Sequence, residues 1–217
     1  MDKIRERIND FCSMTIKLVY IQLLWLTFTL LGVVIIGIGP ATYAMFTVMR
    51  QWIRGNKEIS IFKTFFHSFR SEFKESFFFG IIYLVGGIIL FVDLIYVQSP
   101  LLKGFLIIIS FLYTVSLLYI YPILVHYEWQ SMIQKLKCSI LFGLSYLQYT
   151  LMLIVALAVV YFVLFMYPGV LTFFGISIGS YMIMFMANQV FKRIEMEAGV
   201  NKGVQLNEPL IKGGDQA

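Results

Sequence analysis

Apolar runs of roughly 20 residues, long enough to cross a ~30 Å hydrocarbon core as a helix, recur along the chain from Leu18 to Val190. Charged residues collect at the ends of the runs and above all in one short stretch between the second and third. Lipid offers no water to satisfy free backbone groups, so each run is expected to be helical. The pattern predicts an all-α fold, a polytopic transmembrane helical bundle. Its long spans fall at about 15–36, 77–97, 101–125, 139–167 and 170–190, with a short return helix over 38–54 after Pro40.

Two stretches have a different rhythm. Residues 1–12 place Ile4, Ile8 and Phe11 on one face, as in a short interfacial helix leading into the bilayer. Residues 59–76 carry Phe62, Phe65, Phe66, Phe69 and Phe73 at helical spacing, with Lys63, His67, Arg70, Glu72, Lys74 and Glu75 between them. Such an amphipathic helix is expected to lie in the interface plane with its rings in the acyl boundary. Residues 1–192 read as a single transmembrane domain, and 193–217, where periodicity fades, as a disordered cytoplasmic tail.

The turn at Gly37-Ile38-Gly39-Pro40 decides the topology, because apolar residues resume at once behind it. Proline in the first turn of a helix costs no backbone bond, and the glycines are expected to permit a sharp reversal. Segment 38–54 spans about 25 Å, slightly short for a crossing, which snorkelling of Arg50 and local thinning of the bilayer offset. Lysines and arginines then orient the chain. Lys3, Arg5, Arg7 and Lys17 precede the first span, and Arg50, Arg54, Lys57, Lys63, Arg70 and Lys74 lie between the second and third. Both groups favour the cytoplasm. Six segments with both termini inside satisfy every loop, whereas a five-segment reading with 38–54 as a loop puts the N-terminal cluster outside. The first run is too long for a signal-peptide core and lacks an A-x-A site, so it is expected to be retained.

Composition agrees with this solvent. Hydrophobic residues make up 59% of the chain and charged residues 13%, outside the range of soluble domains. The formal net charge of +5 sits at span ends rather than on one soluble face, so anionic lipid headgroups and not nucleic acid are the expected counter-charge. Cys12 and Cys138 both fall on the cytoplasmic side, where a disulfide is not expected. With no CxxC and only His67 and His126, no metal or other cofactor site is predicted.

Candidate chemistry is sparse, and each feature has a plain structural reading beside the functional one. The Gly37, Gly39, Pro40 turn resembles the broken helices that coordinate transporter substrates, but it falls at a span boundary, where water satisfies the backbone. Asp93 is a carboxylate inside an apolar run and a candidate ion or proton ligand, yet it lies about 6 Å from the span end, within reach of Lys103 across the turn. His126, Glu128 and Trp129 read as an interfacial belt more readily than as an acid/base pair. Arg50, Arg54 and Lys57 beside Trp52 suit either a phosphate or acidic partner, or simple positive-inside anchoring. Gly175-x-x-x-Gly179 is a small-residue packing face. No nucleophile elbow, Walker loop, H-E-x-x-H or dinucleotide motif occurs, so the chain is not expected to be an enzyme.

The run LLWLTFTLLGVVIIGIGPATYAMFTVMRQWIRG followed by IFKTFFHSFRSEFKES resembles the YesL-like family of small bacterial integral membrane proteins. The resemblance is carried by Gly39, Pro40, Ala41, Thr42, Trp52, Arg54, Gly55, Phe62, Phe65, Phe66 and Phe69, over residues 20–80. The family is a domain of unknown function, often encoded beside carbohydrate ABC importers and their two-component regulators. The resemblance therefore implies a non-enzymatic accessory or regulatory role in the bacterial cytoplasmic membrane, with an importer permease as partner. The platform Arg50, Trp52, Arg54, Phe62, Phe65, Phe66 and Phe69 is then the candidate surface for partner or lipid. The alternative is a small secondary transporter or channel with a pathway along Gln22, Thr27, Thr29, Asp93 and Gln148. The sequence does not give the oligomeric state.

Overall fold

A computed structural model describes residues 2–56, 58–127 and 131–206, and all the regular structure among them is helical. The order is α1 (Asp2–Leu31), α2 (Ile38–Ile53), α3 (Ile61–Ser71), α4 (Phe73–Tyr96), α5 (Pro100–His126), α6 (Met132–Ser145), α7 (Leu147–Met166) and α8 (Pro168–Leu206). Among the described residues, five stretches are long and apolar enough to cross a membrane: Cys12–Leu31, Phe73–Tyr96, Pro100–His126, Leu147–Met166 and Pro168–Met196. The chain is a multi-pass, all-α membrane protein, with large apolar side chains such as Leu31, Leu101 and Phe162 turned outward.

The short helix α2 forms the middle of the bundle. Ala41, Ala44, Met45, Val48 and Met49 are fully enclosed, and Trp52 nearly so, against α1, α3, α4, α5 and α8. Small residues on α2 let its neighbours approach, and its shortness is tolerated because protein rather than lipid surrounds it. A second cluster gathers Val115, Tyr119, Ile123, Leu153, Val190 and Phe191 from α5, α7 and α8. The second half of α5, Val115 to Val125, thus lies inside apart from Leu117, while its first half faces outward.

The α1–α2 reversal is built differently from the expected glycine hinge. Helix α1 stops at Leu31, short of 36, and the left-handed residues are Val33 (φ 55°) and Val34 (φ 59°). β-Branched residues are rare there, so the turn is held by its surroundings: the Val34 N–H donates to Thr29 O at 2.9 Å and the Gly37 N–H to Gly32 O at 3.1 Å. Gly37 and Gly39 keep ordinary φ and serve close approach instead. A Cβ on Gly37 would stand 2.7 Å from Thr29 O, and one on Gly39 would run into the backbone carbonyl of Ser76 on α4. Pro40 sits in the first turn of α2, where its missing N–H costs nothing.

Helix α3 doubles back along α2. Phe28, close to the end of α1, meets the rings of Phe65, Phe66 and Phe69 at 5.3, 6.1 and 5.0 Å, while Gly39 at the start of α2 touches Ser76 and Gly80. The segment after Arg54 therefore retraces α2 from end to beginning. The expected single helix over 59–76 is two, broken at Glu72, so that Lys74 and Glu75 open α4. The expected span over 139–167 is likewise broken at Tyr146, where Thr150 donates its hydroxyl proton to Gly143 O at 2.8 Å. Residues 193–206, read from sequence as part of a tail, continue α8 to Leu206, and 207–217 lie outside the described residues.

Candidate functional site

The aromatic and basic platform separates into an inner and an outer set. Phe65 is fully buried, Trp52 is 4% exposed, and Phe69 is half-buried against Phe28. Arg50 is half-buried and its Nη2 donates to the carbonyl of His126 at 3.4 Å, tying α2 to the end of α5. These four hold the bundle together. Arg54 is exposed, and Phe62 and Phe66 stand outside with rings stacked at 6.1 Å and 5°. Beside them Lys63, His67, Arg70 and Ser71 complete a shallow depression of about 440 Å³. The outer face of α3 is thus an aromatic shelf edged with cations, and the α-helical spacing of its phenylalanines had marked it. Which rings turn inward depends on Phe28, some forty residues away, and no local pattern shows that.

The polar residues of the expected pathway do not converge. Gln22 is 4% exposed and bridges α8: its Nε2 donates to Thr172 O at 3.3 Å, and the Ser177 N–H donates to its Oε1 at 2.9 Å. It is a side chain inserted into the backbone ladder of another helix. Thr27 donates to Leu23 O at 2.8 Å, Gln148 is exposed, and the Thr29 hydroxyl is buried without a partner among the described residues. Asp93 is half-buried near the end of α4 and forms no ion pair with Lys103 among the described residues. Gly179 makes room for Tyr161 of α7, whose hydroxyl donates to Gly175 O at 2.9 Å, so this small-residue face is used within the chain.

Among the described residues, one ion pair and one histidine–carboxylate hydrogen bond join distant helices. Lys135 of α6 is 4% exposed and donates to the Glu75 carboxylate of α4. His126 contacts Glu195 of α8 at 3.0 Å and packs against the rings of Tyr127 and Phe191 at 4.6 and 4.7 Å. Lys57, Glu128 and Trp129 lie outside the described residues. Burial, and then the nearby Glu195 carboxylate, push the Tyr127 phenol above its ordinary pKa, and burial alone raises the Cys138 thiol. That shift makes Cys138 a poor nucleophile, in keeping with a packing role.

Sequence reasoning missed a set of hydroxyls in the interior. Tyr83 on α4 and Ser116 on α5 share a hydrogen bond of 2.5 Å, Ser116 and Ser139 on α6 another of 2.7 Å, and Tyr113 donates to Tyr83 O. Tyr119 and Thr150 pair at 3.1 Å, and Trp25 donates to Thr42 Oγ1 at 3.1 Å. These bonds satisfy polar groups that lipid would leave bare. The one local clue was Ser76, Gly80 and Tyr83, spaced four and three along one face of α4.

Where α2, α4, α5, α7 and α8 diverge, they leave a cavity of about 500 Å³. Its walls are mainly apolar, with Thr42, Tyr83, Tyr113, Tyr121, Tyr161 and Ser180 bringing hydroxyl-bearing side chains and no charged side chain lining it among the described residues. The contributing residues of α4, α5, α7 and α8 lie inside the membrane-crossing stretches. Among the described residues, no group of three or more His, Cys, Asp or Glu side chains is placed to hold a metal ion.

The chain matches, over residues 18–94, the family model described as "Protein of unknown function, DUF624". It is 35% identical over 198 residues to the uncharacterized protein YteU of Bacillus subtilis (strain 168), a match covering 89% of each chain. It is 35% identical over 124 residues to the uncharacterized protein YesL of the same organism, covering 56% of this chain and 59% of that one. It is 28% identical over 192 residues to the uncharacterized protein YesV, covering 86% of this chain and 92% of the other. No solved structure matches it. By its likeness to YteU over nearly the whole of both chains, this protein belongs to the YesL-like family of proteins of unknown function, DUF624.

Proposed function

We propose that the protein is a non-enzymatic accessory or regulatory component associated with carbohydrate ABC import, acting on an importer permease through the outer face of α3. The observation that carries this reading is the shelf itself, where Phe62 and Phe66 are exposed beside Lys63, His67 and Arg70. An exposed aromatic pair edged with cations suits a surface where lipid headgroups meet an acidic partner. Replacing Phe62 and Phe66 by serine is expected to reduce co-purification of the permease at least several-fold at the cost of about 1 kcal/mol of stability, since both rings are about half exposed and Phe66 also touches Phe28. Deletion of the gene is expected to slow sugar uptake. Intact uptake and unaltered importer assembly in the deletion strain, with solute flux into protein-containing liposomes, would favour the second reading, a small transporter or channel using the interior cavity.

The reading places both termini and the shelf on the cytoplasmic face of the bacterial membrane, following the positive-inside bias. Cys12, exposed near the start of the first apolar stretch, provides the test. A membrane-impermeant maleimide added to intact spheroplasts is expected to leave it unlabelled, and to label it once the membrane is opened. Labelling in intact spheroplasts would reverse the orientation.

A further inference from the structure

We propose that the cavity between α2, α4, α5, α7 and α8 is a binding site for a neutral amphipathic lipid, whose polar end is hydrogen-bonded by Tyr121 and Ser180. This goes beyond the shelf reading and uses a different part of the molecule.

Most polar groups around the cavity are already satisfied. Thr42 accepts from Trp25 and donates to Ile38 O, Tyr161 donates to Gly175 O, Tyr113 donates to Tyr83 O, and Tyr83 pairs with Ser116. Tyr121 and Ser180 are different. They are 8% and 5% exposed, both line the cavity, and neither hydroxyl has a hydrogen-bond partner among the described residues. Neither hydroxyl oxygen is sealed inside the protein; both side chains line the cavity within membrane-crossing stretches, where unpaired hydroxyls point to a molecule that completes them. Phe46 stacks on the Tyr121 ring at 5.8 Å and 9°, which fixes the direction of its hydroxyl. Gly80 lies alongside that hydroxyl, and a Cβ there would stand in ordinary contact with it at 3.8 Å.

The lining selects the ligand class. Among the described residues no charged side chain faces the cavity, so a phosphate or carboxylate headgroup would be buried without a counter-ion. Two open hydroxyls amid apolar walls likewise suit a molecule with few polar groups and much apolar surface, whereas a free sugar would leave most of its hydroxyls unpaired. The volume of about 500 Å³ lies in the range of small-molecule sites. Leu117 on the rim is 38% exposed on the lipid-facing side of α5, so the bilayer supplies both the ligand and its route of entry.

The test uses the full-length protein in nanodiscs of phosphatidylethanolamine and phosphatidylglycerol, with a diacylglycerol probe carrying a diazirine on one acyl chain. Photolabelling is expected to map to α5 and α8 near Tyr121 and Ser180, and to be competed by unlabelled diacylglycerol. The pair Tyr121→Phe and Ser180→Ala removes only two hydroxyls and is expected to weaken that competition about tenfold with the melting temperature preserved. Leu117→Trp, which plugs the rim, is expected to abolish the labelling. Label spread evenly over the outer surface and indifferent to these variants would overturn the proposal. Equal labelling by a phosphatidic acid probe, or competition by soluble maltose, would overturn the assignment to a neutral lipid. Phe62→Ser with Phe66→Ser is expected to leave the labelling intact, which separates failure here from failure of the shelf reading.

Discussion

Replacing Lys135 by methionine is expected to destabilise the protein by about 3–5 kcal/mol, because it leaves the Glu75 carboxylate in the bundle without its counter-charge. The Lys135 side chain is 5% exposed and that of Glu75 24%, so water offers little compensation for the lost partner. The double variant Lys135→Met with Glu75→Gln is expected to recover most of the loss, since a neutral pair of similar volume removes both the attraction and the cost of burying charge. Unfolding midpoints in detergent micelles measure both. A single variant within about 0.5 kcal/mol of the parent would mean that the carboxylate finds water or another cation, and that this pair does not hold α4 to α6.

A second large effect is expected from Gly39→Ala, about 3 kcal/mol of destabilisation with reduced yield of folded protein. The new methyl group would meet the Ser76 carbonyl and stand 3.3 Å from Gly80 Cα, and both are backbone. No side-chain rotation can relieve such a clash, so α2 and α4 must separate along their crossing. Gly80→Ala attacks the same contact from the other side, where a Cβ would lie 2.9 Å from Gly39 Cα. Gly104→Ala is the control: nothing lies within 4 Å of its Cβ, and the gain in helix propensity is expected to leave stability equal or slightly higher. Equal stability of the Gly39 and Gly104 variants would refute the close crossing.

The membrane-crossing stretches could be read from sequence because lipid imposes a length and a composition on every helix that crosses it. Their ends were harder. Val33 and Val34 are as apolar as any residue of a span, so nothing local marks them as the left-handed reversal, and the glycines that seemed to mark it serve packing instead. The break at Tyr146 has neither proline nor glycine beside it and depends on the Thr150 hydroxyl. Among the candidate site residues, the spacing of the phenylalanines identified the shelf, whereas nothing local marks Lys135, whose partner Glu75 lies 60 positions earlier. The cavity was not legible at all. Tyr121 and Ser180 are unremarkable in the sequence, and only the packing of five helices brings their hydroxyls to one space.

Gln22 sets a timetable for biosynthesis. The two α8 groups that receive its amide lie 150 and 155 positions downstream, so at about 5–20 residues per second the ribosome needs roughly 8–30 s to make them after Gln22 itself. Throughout that interval α1 carries an unmatched amide into the insertion machinery. Gln22 must therefore be sheltered by water, lipid headgroups or the insertase until α8 arrives.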